Sequence, residues 1–98
     1  MSKPDIHFIA ELEAIVRKRL EDGSDDSYTA RLAASGTKRI AQKVGEEGVE
    51  LALAATAGSQ QETIEEAADL VYHLIVLLAE RGLSLEDVSH RLRTRHSG

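Results

Sequence analysis

The stretch LVYHLIVLLA, residues 70–79, is apolar on almost every side when it is drawn as a helix with about 100° per residue. A helix of this composition is buried on nearly all of its faces. The chain has only 98 residues to cover it, so we expect a second subunit to complete the cover. The run is about half as long as the roughly 20 residues of a membrane-spanning helix, so it predicts a core helix.

Outward from this run, helical periodicity and turn residues divide the rest of the chain. Two capping boxes, Ser59-Gln-Gln-Glu62 and Ser84-Leu-Glu-Asp87, mark the starts of the last two helices. We expect an all-α fold of four to five helices, with a bundle-like core completed by homodimerisation, in a single domain of residues 1–98. The predicted helices are Asp5–Asp22 with Asp5 as N-cap, Tyr28–Ala34 capped by Ser27, Thr37–Ala57, the helix from Ser59 to about Arg81, and Leu85–Arg95.

Composition excludes several classes of function. The chain has 12 Lys and Arg residues and 17 Asp and Glu residues, which gives a formal net charge of -5. Nucleic-acid phosphates would therefore repel the chain. The sequence has no Cys, which excludes disulfides, zinc–thiolate sites and a cysteine nucleophile. The N-terminal residues show no signal-peptide pattern. We therefore expect a cytoplasmic protein that binds neither nucleic acid nor membranes.

An acidic residue interrupts the apolar stripe of the third predicted helix. Glu47 lies three residues after Val44 and four before Leu51, in line with both. Glu50 lies about 60° to one side, and Glu46 lies further round towards solvent. A carboxylate inside a core stripe is costly unless something compensates its charge.

A second carboxylate pair, Glu66 and Asp69, stands at positions i and i+3 of the fourth helix, beside the apolar run. The short connection predicts that the third and fourth helices are antiparallel, so this pair can meet Glu47 and Glu50. Four clustered carboxylates repel one another unless some are protonated or cations lie between them. An all-oxygen set suits Mg²⁺ or Mn²⁺, and bound Mg²⁺ commonly keeps positions for substrate phosphates. The residues thus predict metal-assisted phosphate chemistry.

Structural interpretations of the same residues stay open at this point. Three nearby glutamates such as Glu46, Glu47 and Glu50 more often form a solvated acidic face than a site. His73 is more readily a hydrogen-bonded core histidine than a ligand, and Tyr72 a core or dimer contact rather than a platform for a base.

Two lysines and two glycines flank the acidic residues of the third helix. Lys38 and Lys43 are either ordinary surface charges or contacts for substrate phosphates. Gly45 and Gly48 each cost a helix interior about 1 kcal/mol, and we expect them to permit close helix approach beside the site.

The acidic pattern EExxE at 46–50, followed by ExxD at 66–69, is similar to the signature of the all-α nucleotide pyrophosphohydrolase (MazG-like) superfamily. Three segments in order are more specific, and they resemble the phosphoribosyl-ATP pyrophosphohydrolase family. They are SYTARL at 27–32, KVGEEGVE at 43–50 and ADLVYHL at 68–74. The likeness extends from about Phe8 to Arg93.

The resemblance implies an enzyme of histidine biosynthesis. Its reaction would be the second step of the pathway, the Mg²⁺-dependent hydrolysis of phosphoribosyl-ATP to phosphoribosyl-AMP and pyrophosphate, with Mn²⁺ as a substitute ion. We expect the stand-alone form rather than a fusion with the cyclohydrolase that follows in the pathway. The resemblance assigns the metal to the same four carboxylates that helical geometry selects, namely Glu47, Glu50, Glu66 and Asp69.

The remaining site assignments concern catalysis and substrate. The predicted catalytic residues are Glu46, Glu47 and Glu50. Glu46 helps to position water, and either Glu46 or Glu50 accepts the proton of that water. Lys38 and Lys43 are the predicted contacts for the phosphates of the nucleotide.

Two other functions remain open from the sequence. One is a housekeeping pyrophosphatase that acts on deoxynucleoside or other nucleoside triphosphates. The other is a helical dimerisation module with no enzymatic activity, whose acidic face binds a partner. The second predicts no effect of Mg²⁺ on stability.

Overall fold

A computed structural model describes residues 5–23 and 27–97 as five helices, and none of these residues lies in a strand. The predicted all-α class is therefore confirmed. Among the described residues, no helix combines the length and the apolar character that crossing a membrane requires. The helices are α1 (Phe8–Asp22), α2 (Tyr28–Ala34), α3 (Thr37–Ala57), α4 (Gln60–Glu80) and α5 (Leu85–His96).

Three serines begin helices as the sequence predicts. The Ser27 side chain accepts a hydrogen bond from the Ala30 N–H at the start of α2. Ser59 and Ser84 each form a complete capping box, in which the serine and the acidic residue three positions later bond to each other's backbone N–H. Each box satisfies two N–H groups that a helix start otherwise leaves unpaired.

The predicted start of α1 is wrong by three residues. The helix begins at Phe8 with His7 as its N-cap, and the Asp5 side chain does not cap it. The Asp5 carboxylate instead accepts the N–H of His7 at 2.9 Å. A bond from an aspartate to the backbone two residues on forms a local turn, which competes with helix formation.

An antiparallel hairpin of α3 and α4 forms the centre of the molecule, and these two helices share the most extensive contact in the chain. At its open end the Thr37 hydroxyl donates to the Glu80 carboxylate at 2.8 Å, so the first residue of α3 meets the last residue of α4. Helices α1 and α2 pack against this hairpin. The core that they enclose consists of Val16, Leu32, Ile40, Ile75 and Val76.

The apolar run of α4 is only partly covered by its own chain. Ile75 and Val76 are fully buried, but Leu74, Leu77 and Leu78 keep part of their surface exposed. Within the part of the chain that the structure describes, helix α5 packs extensively on no other helix, and Leu85 at its start contacts the core. The all-round burial that the sequence predicts is not reached within one chain.

The expectation for Gly45 and Gly48 is also wrong within this chain. A Cβ atom added at either residue would meet no other atom within 4 Å. No described helix of the same chain approaches α3 at these two positions, because α4 packs on the side of α3 that carries Glu47.

Candidate metal centre

Three carboxylates from the hairpin meet at one point. One oxygen each of Glu47, Glu66 and Asp69 lies within 4.8 Å of the other two. Glu47 is buried, Glu66 is half-buried and Asp69 is exposed, so the cluster extends from the core to the surface. We call these three residues the acidic cluster.

The helical pattern explains the meeting. Glu47 occupies the stripe of α3 that also contains the fully buried Ile40, so its side chain is directed towards α4. Glu66 and Asp69 are one turn apart on α4, and the antiparallel direction of the hairpin brings that turn level with Glu47.

Glu47 is the least solvated member of the cluster. The residue is only 6% exposed, and its Oε1 atom lies 3.5 Å from the Lys43 ammonium one turn earlier on α3. Its Oε2 atom is buried and has no hydrogen-bond partner among the described residues. A buried carboxylate oxygen without a partner carries a desolvation cost of about 1–3 kcal/mol or more.

Lys43 is a cation held against this edge of the cluster. Desolvation lowers its pKa, but the Tyr28 hydroxyl and the carboxylates of Glu47 and Glu46 outweigh that effect, and the pKa is raised above the usual lysine value. Lys43 therefore remains protonated at neutral pH, and its ammonium group lies between Glu46 and Glu47.

Glu50 joins the cluster through Glu66. A hydrogen bond between their carboxyl groups favours the protonated form of Glu66. This bond, together with desolvation and the charges of Glu50, Asp69 and Glu47, raises the pKa of Glu66 to about 7. Crowded carboxylates retain protons in this way when no cation separates them.

The donor set fits a hard divalent cation. The acidic cluster offers only carboxylate oxygens from two helices, which is the ligand type that Mg²⁺ and Mn²⁺ prefer. The unpartnered Glu47 Oε2 and the crowding of carboxylates that raises the pKa of Glu66 are both features that a cation would relieve. The interpretation of these glutamates as a solvated face does not hold for Glu47, which solvent scarcely reaches.

Two other predicted site residues lie outside the cluster. Glu46 is exposed, accepts a hydrogen bond from the Gln42 side-chain amide at 2.9 Å and forms an ion pair with Lys43 at 3.6 Å. The Gln42 bond, with the charges of Lys43 and Arg39, lowers the pKa of Glu46. Lys38 is exposed and lies nine residues before Glu47, about two and a half turns, which places it on the opposite side of α3.

An open groove of about 460 Å³ continues from the cluster towards the turn at Gly58. Apolar residues of α3, including Leu53 and Ala57, form its floor. Its acidic lining consists of Glu50 and Glu66, which were predicted from the sequence as site residues, and of Glu62 and Glu65, which were not.

His73 has the structural role that we considered more common for a core histidine. It is buried, its Nδ1 atom donates to the Asp69 carbonyl at 2.7 Å, and its Nε2 atom lies 3.2 Å from the Tyr28 hydroxyl. Tyr28 was given no role from the sequence, although it lies in the SYTARL segment at 27–32. Tyr28 directly follows the predicted N-cap Ser27, and this position at the start of a short helix could have indicated a functional residue.

Sequence comparison finds relatives of this chain among known proteins. The chain matches the family described as phosphoribosyl-ATP pyrophosphohydrolase over residues 9–96. It is 55% identical over 95 residues to the histidine biosynthesis bifunctional protein HisIE of Photobacterium profundum, covering 97% of this chain and 46% of that protein. The protein of the same name from Pasteurella multocida is 57% identical over 96 residues, covering 98% and 48%.

The protein of that name from Escherichia coli is 56% identical over 89 residues, which cover 91% of this chain and 44% of that protein. The chain thus spans about half the length of the curated relatives it matches. The family match covers nearly the whole chain and confirms the resemblance seen in the three sequence segments. The chain belongs to the phosphoribosyl-ATP pyrophosphohydrolase family.

Proposed function

We propose that this chain hydrolyses phosphoribosyl-ATP to phosphoribosyl-AMP and pyrophosphate in histidine biosynthesis, with Mg²⁺ as its cofactor and Mn²⁺ as a substitute. The family match supports the substrate and the reaction. The acidic cluster of Glu47, Glu66 and Asp69, with its unpartnered buried oxygen, is the observation that carries the proposal for a metal. Glu50, hydrogen-bonded to Glu66, completes the proposed ligand set.

The reaction adds water across the bond between the α- and β-phosphates of the nucleotide. When bound at the four carboxylates, a divalent cation offsets the negative charge of the triphosphate and favours the attack of water on phosphorus. Lys43, which stays protonated, faces the same place and donates to phosphate oxygens.

A carboxylate of α3 accepts the proton of the attacking water. Glu46, Glu47 and Glu50 are the catalytic candidates, and Glu50 is the stronger candidate for the proton acceptor because it lies beside Glu66 at the cluster, whereas Glu46 lies outside it. Glu46, whose pKa is lowered by Gln42, is the weaker base and is better suited to hold Lys43 and nearby water. Lys38, which was also predicted from the sequence as a phosphate contact, starts from the opposite side of α3, so we assign the phosphate contact to Lys43.

The test is the release of pyrophosphate from phosphoribosyl-ATP by wild type, Glu47→Gln and Asp69→Asn. We expect each substitution to lower kcat/KM by about 100-fold or more, because each removes a charged metal ligand at nearly constant volume. Glu21→Gln, on the exposed end of α1, is the matched control and should keep wild-type activity. Near-normal turnover in both cluster variants would contradict the metal role.

A panel of substrates separates this function from a housekeeping pyrophosphatase. We expect kcat/KM for phosphoribosyl-ATP to exceed the values for nucleoside and deoxynucleoside triphosphates. Equal cleavage of the whole panel would contradict the biosynthetic assignment.

A thermal melt separates an enzyme from a dimerisation module. Mg²⁺ that binds the folded state raises Tm by mass action, and Glu47→Gln should abolish that increase. A Tm that does not respond to Mg²⁺ would favour the module.

We also propose that the chain acts as a homodimer in the cytoplasm. The half-exposed apolar run of α4, the sparsely packed α5 and the exposed Val49 and Leu53 all support a second copy as the missing cover. Apolar side chains exposed next to each other in this way commonly mark an interface.

A further inference from the structure

Tyr28, the first residue of α2, presents an exposed ring whose hydroxyl is anchored from inside. The residue is 47% exposed, yet its hydroxyl lies 3.2 Å from Nε2 of the buried His73. Because Nδ1 of His73 donates to the Asp69 carbonyl, Nε2 of the neutral ring accepts the hydrogen bond from Tyr28. Two hydrogen bonds therefore connect Tyr28 to the backbone of a cluster residue.

Tyr72 supports the Tyr28 ring from behind. The two rings stack with their centroids 6.3 Å apart and their planes at 28°. Tyr72 is itself held by a hydrogen bond between its hydroxyl and Thr29, and it meets His73 edge-on at 5.0 Å. A ring that is fixed in this way loses little conformational freedom when a planar ligand stacks on its exposed side.

Tyr28 also lies at the end of the acidic cluster that suits an anion. Lys43 is one turn from Glu47 on α3, and His73 is one turn from Asp69 on the antiparallel α4, so both lie at the same end. The other end opens into the groove whose acidic lining repels phosphates. A triphosphate at the cluster is therefore directed towards Lys43, which brings its nucleoside towards Tyr28.

We propose that Tyr28 is a substrate-binding residue whose ring stacks on the adenine base of the nucleotide, and that His73 is the positioning residue that holds this ring. The proposal rests on the proposed hydrolase function and adds to it the residue that recognises the base. Stacking of a base on an aromatic side chain corresponds to about a 5- to 150-fold change in affinity when the ring is removed.

Steady-state kinetics with phosphoribosyl-ATP tests the proposal. Tyr28→Leu, which removes the ring, should raise KM by about 5- to 150-fold and leave kcat within about threefold of wild type. Tyr28→Phe, which keeps the ring and removes only the hydroxyl, should restore most of the affinity, with KM within about fivefold of wild type. Phe8→Leu, at an exposed aromatic residue of α1, is the matched control and should change neither parameter.

Tyrosine fluorescence gives a second readout that does not depend on turnover or on the folding of Tyr28→Leu. The chain has no Trp and only two Tyr residues, so Tyr28 is one of two emitters. Phosphoribosyl-AMP with Mg²⁺ should quench wild-type emission, whereas inorganic pyrophosphate, which has no base, should not. In Tyr28→Phe, where only Tyr72 emits, the quenching by phosphoribosyl-AMP should be lost.

These outcomes separate the two proposals. A wild-type protein that does not cleave phosphoribosyl-ATP would contradict the proposed function. In that case, quenching by phosphoribosyl-AMP that disappears in Tyr28→Phe would still support stacking of the base on Tyr28. If the wild-type protein cleaves the substrate and KM is unchanged in Tyr28→Leu, the stacking proposal for Tyr28 is overturned and the proposed function stands. Quenching that persists in Tyr28→Phe would overturn the stacking proposal as well.

Discussion

Glu47 is the residue on which the site depends. Its place in the apolar stripe of α3 removes it from water, and Lys43 faces only one of its two oxygens. A carboxylate in this position destabilises the metal-free protein, and a bound cation would offset that cost. The departure from the core pattern was visible in the sequence, whereas the unpartnered oxygen was not.

Glu66 gives the metal-free protein a pH-dependent stability. Its pKa in the folded protein, about 7, is higher than the ordinary value of 4.5. The protonated form is favoured by folding, so this contribution is complete below about pH 4.5 and is lost as pH rises through about 7. In EDTA, we expect the free energy of unfolding of wild type to fall between about pH 5 and pH 8 more steeply than that of Glu66→Gln, as measured in urea.

Two comparisons check that interpretation of Glu66. Glu21→Gln, outside the cluster, should follow the wild-type pH dependence. Mg²⁺ should reverse the loss in wild type at about pH 8, since the cation replaces the proton between the carboxylates. Parallel curves for wild type and Glu66→Gln in EDTA would contradict the raised pKa.

Substitutions of Lys43 and Lys38, both on α3, test which lysine contacts the phosphates of the nucleotide. Lys43→Ala should raise KM for phosphoribosyl-ATP by about 10- to 150-fold, because a hydrogen bond to a charged group contributes about 1.5–3 kcal/mol. Lys38→Ala should change KM by less than about threefold, since its side chain starts from the opposite side of α3. Equal effects in the two variants would show that distance from the cluster does not govern phosphate binding.

At the scale of elements, the α3–α4 hairpin determines the geometry of the site. Gly58 ends α3 and Ser59 caps α4, so two 21-residue helices are joined by only two residues. The shortness of this connection forces the helices to lie side by side in opposite directions. Any change that shifts their register by one turn would separate Glu47 from Asp69.

The capping box at Ser59 should be a measurable source of stability. Ser59→Ala removes the acceptor for the Glu62 N–H, which is 3.1 Å from the serine hydroxyl. We expect the free energy of unfolding to fall by about 0.5–2 kcal/mol in a urea titration. Ser89→Ala, at an exposed position inside α5, is the control and should change it by less than about 0.5 kcal/mol. A loss in Ser89→Ala as large as that in Ser59→Ala would contradict a specific effect of the cap.

At the scale of the whole molecule, the chain leaves much apolar surface exposed. Val49 and Leu53, one turn apart on α3, are 61% and 62% exposed, and α5 contributes little to the core. Burying such surface in a second copy would add favourable transfer energy that a 98-residue chain cannot obtain alone.

Light scattering tests the dimer. We expect wild type to have twice the mass of one chain at micromolar concentration, and Leu53→Asp to shift the equilibrium towards the monomer because it places a charge in the proposed interface. Phe8→Asp, at an exposed apolar residue of α1, should leave the mass unchanged. A monomeric wild type would contradict the dimer.

By itself, the sequence determined the helices and singled out Glu47, Glu66 and Asp69, which the hairpin brings together. Helix boundaries depend on local features, namely caps, glycines and apolar periodicity, so four of the five helix starts were predicted within one residue. The start of α1 was missed because the Asp5 side chain forms a turn with the His7 N–H instead of capping the helix.

Only the tertiary structure decided how these residues face one another. Helical geometry placed Glu50 nearer than Glu46 to the apolar stripe of α3, but it did not give their partners. Packing joins Glu50 to Glu66 and leaves Glu46 with Gln42 and Lys43. The anchoring of Tyr28 by His73 connects residues 45 positions apart, so no local pattern contains it. Desolvation and hydrogen bonding between helices depend on which residues are neighbours in space, and sequence separation does not show this.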